Sequence, residues 1–132
     1  MYLVDTDVIV EWLGGREPTV SALVDLRRSG IAVSTVSHVE IREGVINARD
    51  RRAAEHGYRR FLRGTRVLVL SRSVADRAAE IRADLRRRGL PVGTRAMDLL
   101  IAATAVQHDL ELVTRNARHF RDVPGLRILI PT

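Results

Sequence analysis

Five short runs of almost uninterrupted apolar residues, at positions 2–4, 31–33, 67–70, 110–113 and 127–130, constrain this chain more tightly than any other feature. Strands with one wet face alternate apolar and polar residues; these do not. Continuous apolar strands are covered on both sides, as in a parallel sheet. Helical patterns lie between them. Val8, Ile9, Trp12 and Leu13 make one apolar face. Pro18 opens a helix over 18–29, which Gly30 stops. Ser37 and Glu40 have capping-box spacing at the start of the next helix. Ala54, Tyr58, Phe61 and Leu62 form a fourth stripe, and Val74, Ala78, Ile81 and Leu85 a fifth, ended by Gly89. Residues 99–106 are apolar almost all round, which predicts a buried central helix.

Strands alternating with helices predict an α/β three-layer sandwich, a central, mostly parallel sheet with helices on both faces. Right-handed crossovers then bring the strand C-termini to one edge, where such sheets bind ligands. The chemistry is therefore sought just after strands and in the first turns of helices. The 132 residues suit a single domain over 1–132. There is no cysteine, which excludes a disulfide framework, a thiolate zinc site and a cysteine nucleophile. No apolar run approaches the ~20 residues needed to span a bilayer. The first residues lack the basic-then-apolar pattern of a signal peptide, so a cytoplasmic protein is expected. The segment 90–96, with Pro91 and Gly93, is the expected mobile loop.

All 22 basic residues are arginine, and they are unevenly spread. Residues 1–48 carry four Arg and seven acids, net −3; residues 49–66 carry seven Arg and two acids, net +5; the remainder carries eleven Arg and seven acids, net +4. A basic surface suits a polyanionic partner, and solvated helix faces suit the same composition equally well.

Three acids stand where the sheet edge is expected. Asp5 follows the first strand, Glu40 lies in the helix after the second, and Asp98 heads the 99–106 helix. Singly, each has a structural role open to it: Asp5 as a helix cap, Glu40 as half of a capping box, Asp98 as a partner of the helix dipole. Together they repel, and one carboxyl pKa must rise unless a cation neutralises them. Mg²⁺, a hard cation that takes oxygen ligands, does this and polarises phosphoryl oxygens. No two of His38, His56, His108 and His119 have the spacing of a helical zinc pair. Neither a Gly-rich phosphate loop nor a G-x-S-x-G elbow is present.

These residues resemble the PIN-domain ribonucleases, specifically the VapC toxins of toxin–antitoxin pairs. The opening Tyr2-Leu3-Val4-Asp5-Thr6-Asp7-Val8-Ile9 is similar to that family's first motif. Ser37-His38-Val39-Glu40 is similar to its second, and Asp98-Leu99-Leu100-Ile101-Ala102-Ala103-Thr104-Ala105 to its third. Leu112-Val113-Thr114-Arg115-Asn116, followed by His119-Phe120, is similar to its last. The resemblance implies an endoribonuclease dependent on Mg²⁺ or Mn²⁺ with an RNA substrate. Asp5 and Asp98 would anchor the metal; Glu40 would be a further ligand or would orient the attacking water; Thr114 and Asn116 would hold water or substrate. Many PIN domains have a fourth acid where Asn116 stands. An amide keeps the oxygen and loses the charge, which implies weaker metal contact there and one held ion rather than two. The stretch before Asp98 (93–97) is slightly longer than in common family versions. RNA affinity would come from flanking cations, with Arg115, Arg118 and Arg121 the favoured candidates and the 49–66 stretch a second set. The family also implies a cognate antitoxin and a homodimer.

Two other readings fit parts of the chain. Asp5-Thr6-Asp7 matches the D-x-D opening of haloacid-dehalogenase-like phosphatases, with Asp5 as nucleophile and Asp7 as acid/base. That chemistry uses a lysine, and this chain has none. A PIN-like fold that has lost catalysis and only binds RNA or protein is the other, invited by the uncharged Asn116.

Overall fold

A computed structural model describes all 132 residues. Five strands, β1 (Tyr2–Val4), β2 (Ile31–Ser34), β3 (Thr65–Leu68), β4 (Glu111–Val113) and β5 (Ile128–Leu129), form one sheet in the order β3-β2-β1-β4-β5. Every pairing is parallel. The helices are α1 (Thr6–Leu13), α2 (Thr19–Arg27), α3 (Thr35–Ile46), α4 (Arg51–Leu62), α5 (Arg72–Arg87) and α6 (Ala96–Gln107). Successive strand residues point to opposite faces, and each face has its own core. Leu3, Ala32, Leu68 and Leu112 face α5 and α6, packing on Val74, Ile81, Leu85, Leu99 and Ala102. Val4, Ile31, Val33 and Val113 face α1 to α4, packing on Ile9, Leu23, Ile41, Tyr58 and Phe61. This is the three-layer α/β sandwich that the continuous apolar strands predict.

Hydrogen-bond partners, not apolar content, set the strand ends. β3 is an edge strand whose register runs from Thr65 opposite Ile31 to Leu68 opposite Ser34. It therefore starts two residues before the apolar run 67–70, and Val69 and Leu70 lie beyond the pairing, exposed. β5 shrinks to two residues because β4 offers it only Leu112 and Val113.

Two expectations about caps are corrected. Ser34, not Ser37, caps α3: its hydroxyl accepts from the Ser37 N–H at 3.0 Å. The last residue of β2 turns directly into the helix, so Ser37 is buried in the first turn and Glu40 sits in the second. Pro18 is the residue before α2 rather than its first. Gly30 does mark the turn into β2, at φ 91°, where a Cβ would approach the Met1 side chain within 3.3 Å.

The segment 90–96, expected to be mobile, is tied down. It forms a 3₁₀ turn, Gly93–Arg95, ahead of α6. Arg95 grips Asp122 with both terminal nitrogens, at 2.9 and 2.6 Å, and donates to the carbonyls of Pro91 and His119 at 3.1 and 2.8 Å. Nothing in the local sequence announces that staple, because Asp122 lies 27 residues away.

Candidate active site

The strand C-termini do deliver the acids to one edge. Asp5 is the first residue past β1; its N–H donates to the Val113 carbonyl at 2.9 Å, and it caps α1. One carboxylate oxygen accepts from the Thr6 N–H at 2.8 Å, and the other accepts from the Thr114 hydroxyl at 2.8 Å. Thr114 is the first residue past β4 and is fully buried. Asp5 itself is only 5% exposed. Burial, then the neighbouring Asp7 carboxylate, push its pKa up to about 7, against the pull of the hydrogen bonds from Thr114 and Thr6.

Asp7 is a site residue that sequence reasoning uses only in the phosphatase reading. One of its oxygens accepts from the Asn116 side-chain amide at 2.9 Å and from the Arg115 N–H at 3.2 Å. The other is buried without a hydrogen-bond partner. Its carboxyl pKa is raised, chiefly by burial. The available signal was the second acid of Asp5-Thr6-Asp7, which a capped helix brings into the first turn beside the strand end.

Glu40 is exposed and accepts from the Thr6 hydroxyl at 2.7 Å; the Ser37 hydroxyl lies 3.0 Å from that same oxygen of Thr6. Asp98 is the third residue of α6, with a carboxylate oxygen 3.6 Å from Nδ1 of His119. His38, close to Glu40 in sequence, is paired instead with the Tyr58 hydroxyl at 2.8 Å. Asp5, Thr6, Asp7, Glu40, Asp98, Asn116 and His119 line one open cleft of about 300 Å³, with no hydrophobic side chain in it. The three acids singled out from sequence therefore meet, with Asn116 among them and Thr114 behind Asp5. No three Asp, Glu or His side chains are drawn close enough to grip a metal ion between them. Asp5, Asp7 and Glu40 each accept a hydrogen bond from the protein, and Asp98 has only the 3.6 Å approach of His119.

The three arginines expected to bind RNA separate. Arg115 is committed elsewhere: it donates to Glu11 at 2.8 Å, to the Pro131 carbonyl at 2.7 Å and to the Thr19 hydroxyl at 2.9 Å. It locks the end of β4 to α1 and α2, so its guanidinium is engaged by protein partners. Arg118 lines a second cleft that shares Asp98 and His119 with the first. Arg121 is exposed and lines neither.

The donors at the cleft are carboxylate, hydroxyl and amide oxygens, the chemistry of a hard divalent cation. The unpartnered buried oxygen of Asp7 and the raised pKa of Asp5 both mark uncompensated negative charge that such a cation relieves.

Comparison with known proteins adds an independent finding. A family model described as PIN domain matches residues 2–126. Ribonuclease VapC10 of Mycobacterium tuberculosis is 36% identical over 121 residues, spanning 91% of this chain and 86% of that protein. The tRNA(fMet)-specific endonuclease VapC of Salmonella typhimurium is 28% identical over 130 residues, 96% and 95% of the two chains. Among solved structures, VapBC2 from Rickettsia felis, bound to a DNA fragment from its promoter, superposes with a TM-score of 0.89. It is 25% identical and covers 98% of this chain and 97% of that one.

Proposed function

The chain belongs to the PIN-domain family, and from that premise we propose that it is a VapC-type endoribonuclease toxin paired with an antitoxin, cutting RNA at the Asp5–Glu40–Asp98 cleft. The observation that carries the reading is the convergence of Asp5, Glu40 and Asp98. They come from three elements, yet they line one polar cleft at the C-terminal edge of the sheet. A packing role for any one of them would not require the others.

Asp5 and Asp7 would hold Mg²⁺ or Mn²⁺ together with the waters such an ion keeps, with Asp98 facing it across the cleft and Asn116 contributing through its contact to Asp7. When bound, the cation offsets the clustered carboxylates and stabilises negative charge developing on the phosphate. The chain's own residues do the positioning. Thr114 and the Thr6 N–H fix the Asp5 carboxylate from both sides. Glu40, the most solvent-open of the acids and steered by Thr6, is placed to orient an attacking water and accept its proton. Asn116 holds Asp7 in place from the loop after β4.

A second copy of the chain and an antitoxin are the partners this reading requires. Exposed apolar side chains on α1, α2 and α3, namely Val10, Val24, Val39 and Ile46, support a covered surface there. The phosphatase reading has nothing to support it, since Asp7 is held by Asn116 and Arg115 rather than free to shuttle a proton.

The test is cleavage of total RNA by antitoxin-free protein with Mn²⁺ or Mg²⁺, with EDTA, and by Asp98→Asn purified in parallel. Discrete cuts abolished by EDTA and by the substitution are the expected result. Metal binding without any cleavage, or cuts that persist in Asp98→Asn, would overturn the assignment.

A further inference from the structure

A wide cleft of about 630 Å³ opens between α3 and α4, away from the carboxylates, lined by Arg42, Arg51, Arg52, Glu55, His56 and Arg59. Four guanidiniums against one carboxylate give it a net charge of +3 with His56 neutral. Two of the arginines are ordered by the acid they share. Glu55 pairs with Arg42 at 2.7 Å across the two helices and with Arg59 at 3.6 Å along α4. Arg51 and Arg52 are exposed and make no hydrogen bond or ion pair. Like charges collected in a concavity repel, so the arrangement is unfavourable until an anion enters.

The catalytic cleft explains why such a surface is needed. Its carboxylates repel a phosphodiester backbone. Nearby, Arg115 is spent on Glu11 and Arg95 on Asp122, which leaves Arg118 as the one arginine beside Asp98 without a protein partner. Thr6 and Glu40 of the active site and Ala54 of α4 line one further, mostly apolar concavity. Ala54 adjoins Glu55 in the chain.

We propose that the arginine cleft of α3 and α4 is a second RNA-binding surface, which takes backbone phosphates of the substrate strand while the strand's scissile bond lies at the carboxylates. This rests on the reading of the chain as an RNA-cutting enzyme. The lining favours RNA over a protein partner. It contains no hydrophobic side chain, whereas the centre of a protein interface is apolar. The planar guanidinium fork matches phosphate oxygens in pairs.

The test is fluorescence anisotropy with a labelled single-stranded RNA oligonucleotide, on the Asp98→Asn background so that the probe survives. Arg51→Glu/Arg52→Glu is compared with Arg82→Glu/Arg86→Glu, an equal charge change on α5 across the sheet. The proposal expects the α4 pair to weaken binding at least about tenfold and to reduce the salt slope by one to two. The α5 pair should have a much smaller effect. Arg51→Gln/Arg52→Gln should fall between wild type and the reversal, which guards against a folding defect in the reversed variant. Equal losses from both pairs, or no loss from the α4 pair, would overturn the proposal. So would an α4 pair that releases the antitoxin and leaves RNA affinity intact. Cleavage of RNA by the wild-type protein, measured separately, distinguishes a failure of this surface from a failure of the enzyme assignment.

Discussion

At the carboxylate cleft, three of the four acids accept a hydrogen bond that holds them: Thr114 and Thr6 hold Asp5, Asn116 holds Asp7 and Thr6 holds Glu40, while His119 lies 3.6 Å from Asp98. In the arginine cleft, by contrast, only Glu55 restrains the side chains, and Arg51 and Arg52 reach into solvent. The acids are built on a strand end and the first two turns of helices, where backbone geometry is rigid, and burial raises the pKa of Asp5 and Asp7. Arg51 and Arg52 stand on the surface of α4 and keep their rotamer freedom. The difference separates two jobs. Chemistry needs groups fixed before substrate arrives, whereas sequence-tolerant backbone binding needs charge density more than exact placement.

The largest expected effect is at the acids. Asp5→Asn or Asp98→Asn should lower the cleavage rate roughly a hundred- to a thousandfold, measured on total RNA with Mn²⁺. A loss of only a few-fold would remove the contrast between a fixed and a loose cleft.

The buried acid also makes a prediction about pH. The folded-state pKa of Asp5 is raised to about 7 from 3.8. Between those values the folded state keeps a proton that the unfolded state has lost, so stability of the metal-free protein falls as pH rises through that window and is lowest above it. The loss is of the order of a few kcal/mol. Urea unfolding in EDTA at pH 5 and pH 8 reads it, and Asp5→Asn should flatten the difference. Mn²⁺ should restore stability at pH 8 in the wild type but not in Asp5→Asn.

Arg115→Ala sharpens the same comparison from the cation side. It breaks a half-buried ion pair to Glu11 and strands the Pro131 carbonyl. Unfolding stability should fall by about 2 kcal/mol, with RNA affinity unmoved in the anisotropy assay. A loss of RNA affinity at unchanged stability would return Arg115 to the RNA-binding set. Smallest is the cap of α3: Ser34→Ala should cost about 1 kcal/mol, whereas Ser37→Ala should leave the helix start intact. Thermal melts of the two variants decide between the caps.

Much of this was legible in the chain. Continuous apolar runs suit a parallel sheet, and strand-end logic alone takes Asp5, Glu40 and Asp98 to one edge. What escaped sequence reasoning depends on partners distant in the chain. β3 takes its limits from β2, so its apolar content was a poor guide to its ends. Arg115 is claimed by Glu11, 104 residues away. Arg95 is claimed by Asp122. Asp7 looked like one half of a dyad and proved to be part of the cleft wall, because a residue in the first turn of a capped helix faces the strand end and the loop beyond β4. Charge patterning showed that 49–66 is basic, but only the pairing of Arg42 to Glu55 across two helices shows that the arginines collect in one concavity.

The most direct test of the central claim is cleavage in heavy-oxygen water with Mn²⁺ present, followed by mass analysis of the new RNA ends. Water as the nucleophile leaves labelled oxygen on a terminal phosphate and no 2′,3′-cyclic phosphate, with both cutting and label lost in Asp98→Asn. Ends carrying a 2′,3′-cyclic phosphate would mean that the RNA attacks itself, and would contradict the role given to the carboxylate cleft.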